Sequence, residues 1–301
     1  MNAIAITILS IFLMIALGYV LKRIDFLSEN DIDTLNKIVI NITLPCMMFS
    51  ALYTADLSLM SQLSILPFVI LASSFVTGLI SFVILKTAGL DDKRLWSVLV
   101  TIMIANTGFM GYPVSLGIYG SEGFLRAIFC DIATMTTFIL LSFLLVLKFG
   151  GDYKKAVKKI ALFPPLWAII LGLSFNTFNI PIGSVLDNTI NYLAGGTVPL
   201  IMLSLGITIN LKGLARNTSM VAFTSVMKLL IFPLMAFVIV TLLNLSGLQH
   251  DIPIVQAAMP SGMLSLILAI TYTLDYELSS DCILIDTVIS LITLPIIMMI
   301  L

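Results

Sequence analysis

"MIANTGFMGYPVSLGIYG", residues 103–120, lies within a run from Leu95 to Ile118 that is apolar enough to cross a bilayer. Its middle nevertheless holds Asn106, Gly108, Gly111 and Pro113 within eight residues. Pro113 has no N–H to donate and pushes Tyr112 away from helical dihedrals. The glycines let the chain turn without a Cβ clash. Asn106 falls 11 residues beyond Leu95, roughly 16 Å at helical rise, which is mid-bilayer. The stretch therefore reads as a spanning helix broken where no water is at hand for the backbone. Unsatisfied backbone groups in lipid cost several kcal/mol each, so the break needs a reason.

The composition is that of a polytopic membrane protein. Of 301 residues, 59% are hydrophobic and 10% charged, where soluble domains average about 25% charged. The net charge of −1 says nothing about nucleic acid, but there is no basic tail, and no nucleic-acid partner is expected. Cys46, Cys130 and Cys282 sit in apolar runs without metal-site spacing or a disulfide framework. The single histidine, His250, falls in a polar connection and argues against a histidine metal centre. No metal or other cofactor is expected. The run from Asn2 to Leu21 lacks a positive leader and a small-residue cleavage site, and Lys22 and Arg23 follow it. It reads as a first spanning helix rather than a signal peptide.

Spans of roughly 20 apolar residues number ten: about 2–21, 36–54, 63–85, 95–118, 124–147, 160–178, 188–210, 219–245, 252–273 and 282–301. The expected fold is all-α, with no room between spans for a soluble domain. With the N-terminus outside, thirteen Lys and Arg residues lie at the cytoplasmic face, only Arg126 lies outside, and Lys228 lies within a span. The excess of cations inside puts both termini outside a multi-pass protein of the cytoplasmic (inner) membrane.

A shift of 154 residues superimposes unusual positions. Gly18 meets Gly172, "TLPCMMFS" (43–50) meets "TVPLIMLS" (197–204), and Gly108 meets Gly262. With one residue of slippage Asp131 meets Asp286. Residues 1–147 and 160–301 thus form two five-span repeats joined by a short basic cytoplasmic loop, 148–159. Five is odd, so the second repeat enters the membrane inverted. Inverted repeats with matching interrupted spans are the signature of secondary transporters with a midplane site.

Span nine repeats the break in "AAMPSGMLSL" (257–266), with Pro260 and Gly262 near its centre. Proline favours the first position of a helix, so Pro113 and Pro260 are each expected to open a second half-helix. Two half-helix N-termini at the midplane suit an anion. The expected substrate-binding set is Asn106, Thr107, Gly108, Gly111, Pro113, Pro260, Ser261, Gly262 and Met263. A simple proline kink healed by neighbouring helices is the plainer alternative, disfavoured because the breaks come as a repeat-related pair.

"NTGFMGYP" (106–113), "AAMPSGMLSLILAITY" (257–272), "LSLGI" (203–207), "LITLP" (291–295) and "NITLP" (41–45) resemble the auxin efflux carrier family. That family includes bacterial organic-acid permeases and plant auxin exporters. The resemblance covers essentially the whole chain. It implies the fold of sodium–bile acid symporters and sodium–proton antiporters, with crossed spans four and nine. Spans 1, 2, 6 and 7 would be a scaffold and homodimer interface, and spans 3–5 with 8–10 a transport domain moving as an elevator. The short loop "KFGGDYKKAVKK" (148–159) resembles the bacterial members rather than the plant exporters, which implies malate- or malonate-like substrates.

Ionisable groups within spans are functional candidates by default. Lys228 attracts a carboxylate or exchanges a proton, or else snorkels to the cytoplasmic interface. Asp131 and Asp286 are candidates for proton coupling, Asp286 by pairing with Lys228; the alternative is a helix-capping role near a span end. Asn41 either faces the substrate path or packs beside the Thr43/Pro45 kink. Thr43/Pro45 and Thr197/Pro199 are explained by kinking and close packing, and the methionines by adaptable packing and lipid contact.

The function expected is secondary active transport of small organic anions by a membrane-embedded homodimer, with a proton or sodium as the candidate coupling ion. A sodium-coupled carrier or uniporter of auxin-like or bulkier amphipathic acids shares the fold and is the main alternative. A non-transporting anion sensor lacks any attached signalling domain. An intramembrane aspartyl protease lacks a glycine-rich motif beside either aspartate, so no enzyme is expected.

Overall fold

The computed structural model describes residues 3–150, 158, 161–209 and 218–301. The basic loop expected at 148–159 lies largely outside them. The described helices are α1 (Ala3–Arg23), α2 (Glu29–Ile38), α3 (Leu44–Tyr53), α4 (Met60–Leu63), α5 (Leu66–Thr87), α6 (Asp92–Met103), α7 (Tyr112–Phe149) and α8 (Pro164–Thr177). After them come α9 (Gly183–Gly195), α10 (Thr197–Thr208), α11 (Thr218–Val226), α12 (Phe232–Leu242), α13 (Leu248–Ala257), α14 (Met263–Thr271) and α15 (Tyr276–Ile300).

Six helical stretches among the described residues are long and apolar enough to cross a membrane: Asn30–Tyr53, Leu57–Thr87, Thr107–Phe149, Gly183–Thr208, Thr218–Leu242 and Tyr276–Ile300. Their outward faces carry exposed apolar residues such as Phe68, Leu79, Phe143, Leu147 and Ile292, a surface suited to lipid. The protein is an all-helical integral membrane protein.

Among the described residues three π-helical turns, Val39–Thr43, Thr107–Gly111 and Met227–Ile231, interrupt the helices. Each widens the hydrogen bond by one residue: Leu44 N–H donates to Val39 O, Gly111 N–H to Asn106 O at 3.1 Å, and Phe232 N–H to Met227 O. A proline follows each turn at its second residue, Pro45, Pro113 and Pro233. A proline inside a helix removes one i→i−4 bond and its ring crowds the carbonyl four residues back. Widening the preceding turn relieves that crowding.

Several helices start earlier than the apolar runs suggest. Helix α15 begins at Tyr276, not at 282, because the Asp275 carboxylate accepts from Leu278 N–H at 3.1 Å and draws the polar turn "YELSSD" into the helix. Helix α2 begins at Glu29, where Ser28 and Asp31 form a capping box. Instead of a loop at 119–123, Thr107–Phe149 is a single helical run kinked at Gly120, whose φ of 65° favours glycine.

The chain divides into two compact units: residues 1–61, 112–128 and 157–210 in the first, and 62–111, 129–156 and 211–301 in the second. In the first unit, helices meet at glycines. A Cβ on Gly18 would collide with the Leu203 carbonyl, and one on Gly206 with the Ile15 carbonyl, so α1 and α10 touch backbone to backbone. Gly172 of α8 packs on Phe49 and Leu52 of α3 in the same way. Polar side chains then tie the helix ends. Ser204 donates to Asn36 at 2.7 Å and Ser50 to Asn191 at 2.8 Å. Lys22 Nζ donates to Ile207 O at 3.0 Å, and Asn176 Nδ2 to Leu52 O at 2.7 Å and Ala55 O at 2.8 Å. Without a hydrophobic effect between helices in lipid, such close backbone approach and interhelical bonds are what hold them.

In the second unit, Leu95, Val98, Leu99 and Ile102 of α6 pack with Val221, Met227, Leu278 and Cys282 in one buried cluster. At the end of α6 the side chain of Met103 fills the space beside Gly78 of α5, and Ser74 donates to Met103 O at 2.9 Å.

Gly206→Val forces α1 from α10 and should destabilise the first unit by about 1–3 kcal/mol, the usual cost of overpacking. Thermal unfolding of detergent-purified protein reads this as a lowered Tm; an unchanged Tm contradicts the contact.

Candidate functional site

The second unit contains both helix breaks, and they hydrogen-bond to each other. Helix α6 ends at Met103 and the chain turns extended at Ile104 (φ −104°, ψ 108°). Helix α13 ends at Ala257, and Gly262 is extended (φ −89°, ψ 148°) before α14 begins. Asn106 N–H donates to Pro260 O at 2.8 Å and Gly262 N–H to Ile104 O at 2.9 Å, framing an antiparallel bridge between Ala105 and Ser261. Each break thus satisfies backbone groups of the other, the requirement that irregular chain meets inside a membrane. A Cβ at Gly262 would stand 2.8 Å from Ala105 O, so the crossing needs glycine there.

Neither proline opens its half-helix as the sequence suggested. The chain becomes helical again at Thr107, six residues before Pro113, because Asn106 Oδ1 accepts from Phe109 N–H at 3.2 Å and caps the new turn. Pro260 lies inside the second gap, and α14 starts only at Met263. No side chain caps α14. Its first residue, Met263, is 46% exposed, while Asn106, Thr107, Ser261 and Gly262 are buried and Gly108 is partly exposed. An uncapped helix N-terminus carries partial positive charge and open N–H donors.

Two carboxylates stand behind the crossing. Thr107 donates to Asp131, and its hydroxyl lies 3.1 Å from that of Thr134. Ser261 and Ser225 each donate to Asp286, one to either oxygen. Both aspartates are buried mid-helix, which goes against the alternative of capping groups near span ends. The cause is the early start of α15 and the unbroken run through Gly120. Thr107 and Ser261 belong to the breaks themselves, so a proton gained or lost by either aspartate alters the hydrogen bonding of a break directly.

Lys228 lies in the π turn Met227–Ile231 with 0% exposure. It does not snorkel. Its Nζ sits 3.8 Å from the centre of the Phe232 ring, makes no hydrogen bond, and interacts electrostatically with Asp286. Gln256, fully buried, donates to Gly111 O at 3.0 Å and packs where a Cβ of Gly111 would lie, bracing the first break. Asn41 belongs to the first unit, where it is exposed and donates to Lys37 O at 2.8 Å; Pro113 lies on α7 within that unit's residues. Ser225, Thr134 and Gln256 were not singled out from the sequence. The one available signal was their polarity within spans.

At the polar ends of the second unit, Lys148 pairs with Asp92 at 2.8 Å and Arg94 with Asp275 at 3.3 Å. The bond from Lys148 holds the Asp92 carboxyl below the usual carboxylate range. Among the described residues no group of three or more His, Cys, Asp or Glu is placed to hold a metal ion. The crossing thus presents an uncapped helix terminus beside two hydroxyl–carboxylate pairs.

Comparison with known proteins agrees with a transport role. The profile of a family described as membrane transport protein matches residues 3–298. The chain is 41% identical over 289 residues to an uncharacterized transporter of Methanothermobacter thermautotrophicus, covering 96% of this chain and 95% of that one. It is 33% identical to an uncharacterized transporter of Methanocaldococcus jannaschii, with 95% of each chain covered. It is 26% identical over 145 residues to auxin efflux carrier component 8 of Arabidopsis thaliana, covering 46% of this chain and 40% of the plant protein. The chain is a membrane transporter, not an enzyme, and it belongs to the auxin efflux carrier family of membrane transport proteins.

Proposed function

We propose that the protein is a proton-coupled secondary transporter of small organic anions of the malate and malonate type across the cytoplasmic membrane. The observation that carries this reading is the hydrogen-bonded crossing of two broken helices, with the uncapped N-terminus of α14 beside hydroxyl–carboxylate pairs. The helix terminus takes the carboxylate of the substrate. Asp131 and Asp286 carry protons, and Thr107 and Ser261 pass their protonation state to the breaks.

In this reading the chain has ten spans in two inverted repeats, with both termini outside. Support comes from contacts that exchange between the halves. Gly18 packs on Leu203 and Gly172 on Phe49, each partner differing by 154. Lys22 donates to the carbonyl of residue 207, and Asn176, 154 positions on, to those of 52 and 55. The unit containing the crossing acts as the moving, elevator-type part and the other as the scaffold, through which two copies form a homodimer.

Purified protein in liposomes should take up labelled malate or malonate in sodium-free buffer, faster with an inward proton gradient. Uptake that appears only with sodium would assign sodium coupling instead, and uptake indifferent to both gradients a uniporter. Asp131→Asn and Asp286→Asn remove the titrating groups and should each flatten the pH dependence of uptake. A wild-type pH profile in both variants would exclude them as proton carriers.

A further inference from the structure

Lys228 is a fully buried amine side chain, and burial of such a group is costly. A fully buried ammonium ordinarily has hydrogen-bonded partners, yet its Nζ makes no hydrogen bond among the described residues. Asp286, the nearby anion, is bonded instead to Ser225 and Ser261, one on each oxygen. What holds the ammonium is the face of Phe232, one helical turn on. That leaves its three N–H donors unused. At the position 154 residues earlier the chain has Ser74, whose hydroxyl is taken up by Met103 O. The cation is present in one half only.

Its surroundings point to what it receives. Ser225 and Lys228, one turn apart, flank Asp286, and Asp286 bonds to Ser261. The residue after Ser261, Gly262, is the N-cap of the uncapped helix α14. Two anion-receptive centres of different kinds, a helix terminus with partial charge and a buried lysine amine, are therefore joined through one serine and one carboxylate. The turn bearing Lys228 has room to yield. Pro233 lacks the N–H that would bond to Leu229 O in an α turn or to Lys228 O in a π turn.

We propose that Lys228 determines specificity by receiving the second carboxylate of a short dicarboxylate whose first carboxylate sits on the N-terminus of α14. Two-point binding selects dicarboxylates over monocarboxylates of the same length. It also fixes their orientation, because the other half of the unit has no matching cation. The proposal rests on the reading of the crossing as the substrate site, and its test separates the two.

The test uses Lys228→Met, one heavy atom shorter and without the amine, which leaves Asp286 with its two serine donors. Malonate and propionate, each with three carbons, are compared by thermal shift of the detergent-purified protein and as competitors of uptake. Wild type should prefer malonate. Lys228→Met should lose about 10-fold or more of its malonate affinity, the worth of a charge-assisted hydrogen bond, with propionate unchanged. An unchanged ratio of malonate to propionate in Lys228→Met overturns the proposal. So does a wild type that does not distinguish the two acids, even while it transports monocarboxylates, in which case the transport reading stands alone. Should Lys228→Met not fold, Lys228→Ser, with the residue native at position 74, carries the same comparison.

Discussion

The second unit depends on two main-chain hydrogen bonds, Asn106 N–H to Pro260 O and Gly262 N–H to Ile104 O. Inside a bilayer a helix can be broken only if the freed backbone groups find partners within the protein. Here two breaks are partners to each other. The bridge brings the end of α6 against the start of α14 and positions Thr107 and Ser261 to reach their aspartates. Gly262 is required because the Ala105 carbonyl occupies the space of a side chain. From this one constraint follow the uncapped helix terminus, the buried carboxylates and the opportunity for an anion.

The two halves use the same device with different finishing. The first break is capped by Asn106 and braced by Gln256. The second has no side-chain cap, exposes Met263, and has an ammonium behind its carboxylate. An equal division of labour between the breaks would give a symmetric site. The asymmetry instead places the open helix terminus and the buried lysine together at the second break. The three π turns belong to the same economy of backbone bonds, since each absorbs a proline that would otherwise kink or end the helix.

Much of this was legible in the sequence. Asn106, Gly108 and Pro113 inside an apolar run, matched by Pro260 and Gly262 at a fixed offset, announced paired breaks. Their chemistry was less legible. Proline preference at helix starts pointed to Pro113 and Pro260 as first residues, but Asn106 caps earlier and Gly262 holds the second start back to Met263. Apolarity alone started the last span at 282 and left Asp286 near its end, whereas the cap at Asp275 sets it eleven residues into α15. Ser225 and Thr134 resemble the many helix hydroxyls here that bond their own preceding turn, such as Thr77 and Ser81. Local sequence does not tell which of them face a carboxylate. Lys228 could equally have reached the interface by its length; only the packing of α12 around it decides that it does not.

The central claim is that the crossing at Gly262 and Met263 is where the substrate binds. It is tested most directly by Met263→Cys in a chain whose Cys46, Cys130 and Cys282 are replaced, with the rate of alkylation by a small thiol reagent followed in membranes. The account predicts that malonate slows labelling at concentrations that saturate uptake, while propionate protects less. Labelling unaffected by saturating malonate would contradict it and remove the crossing from the substrate path.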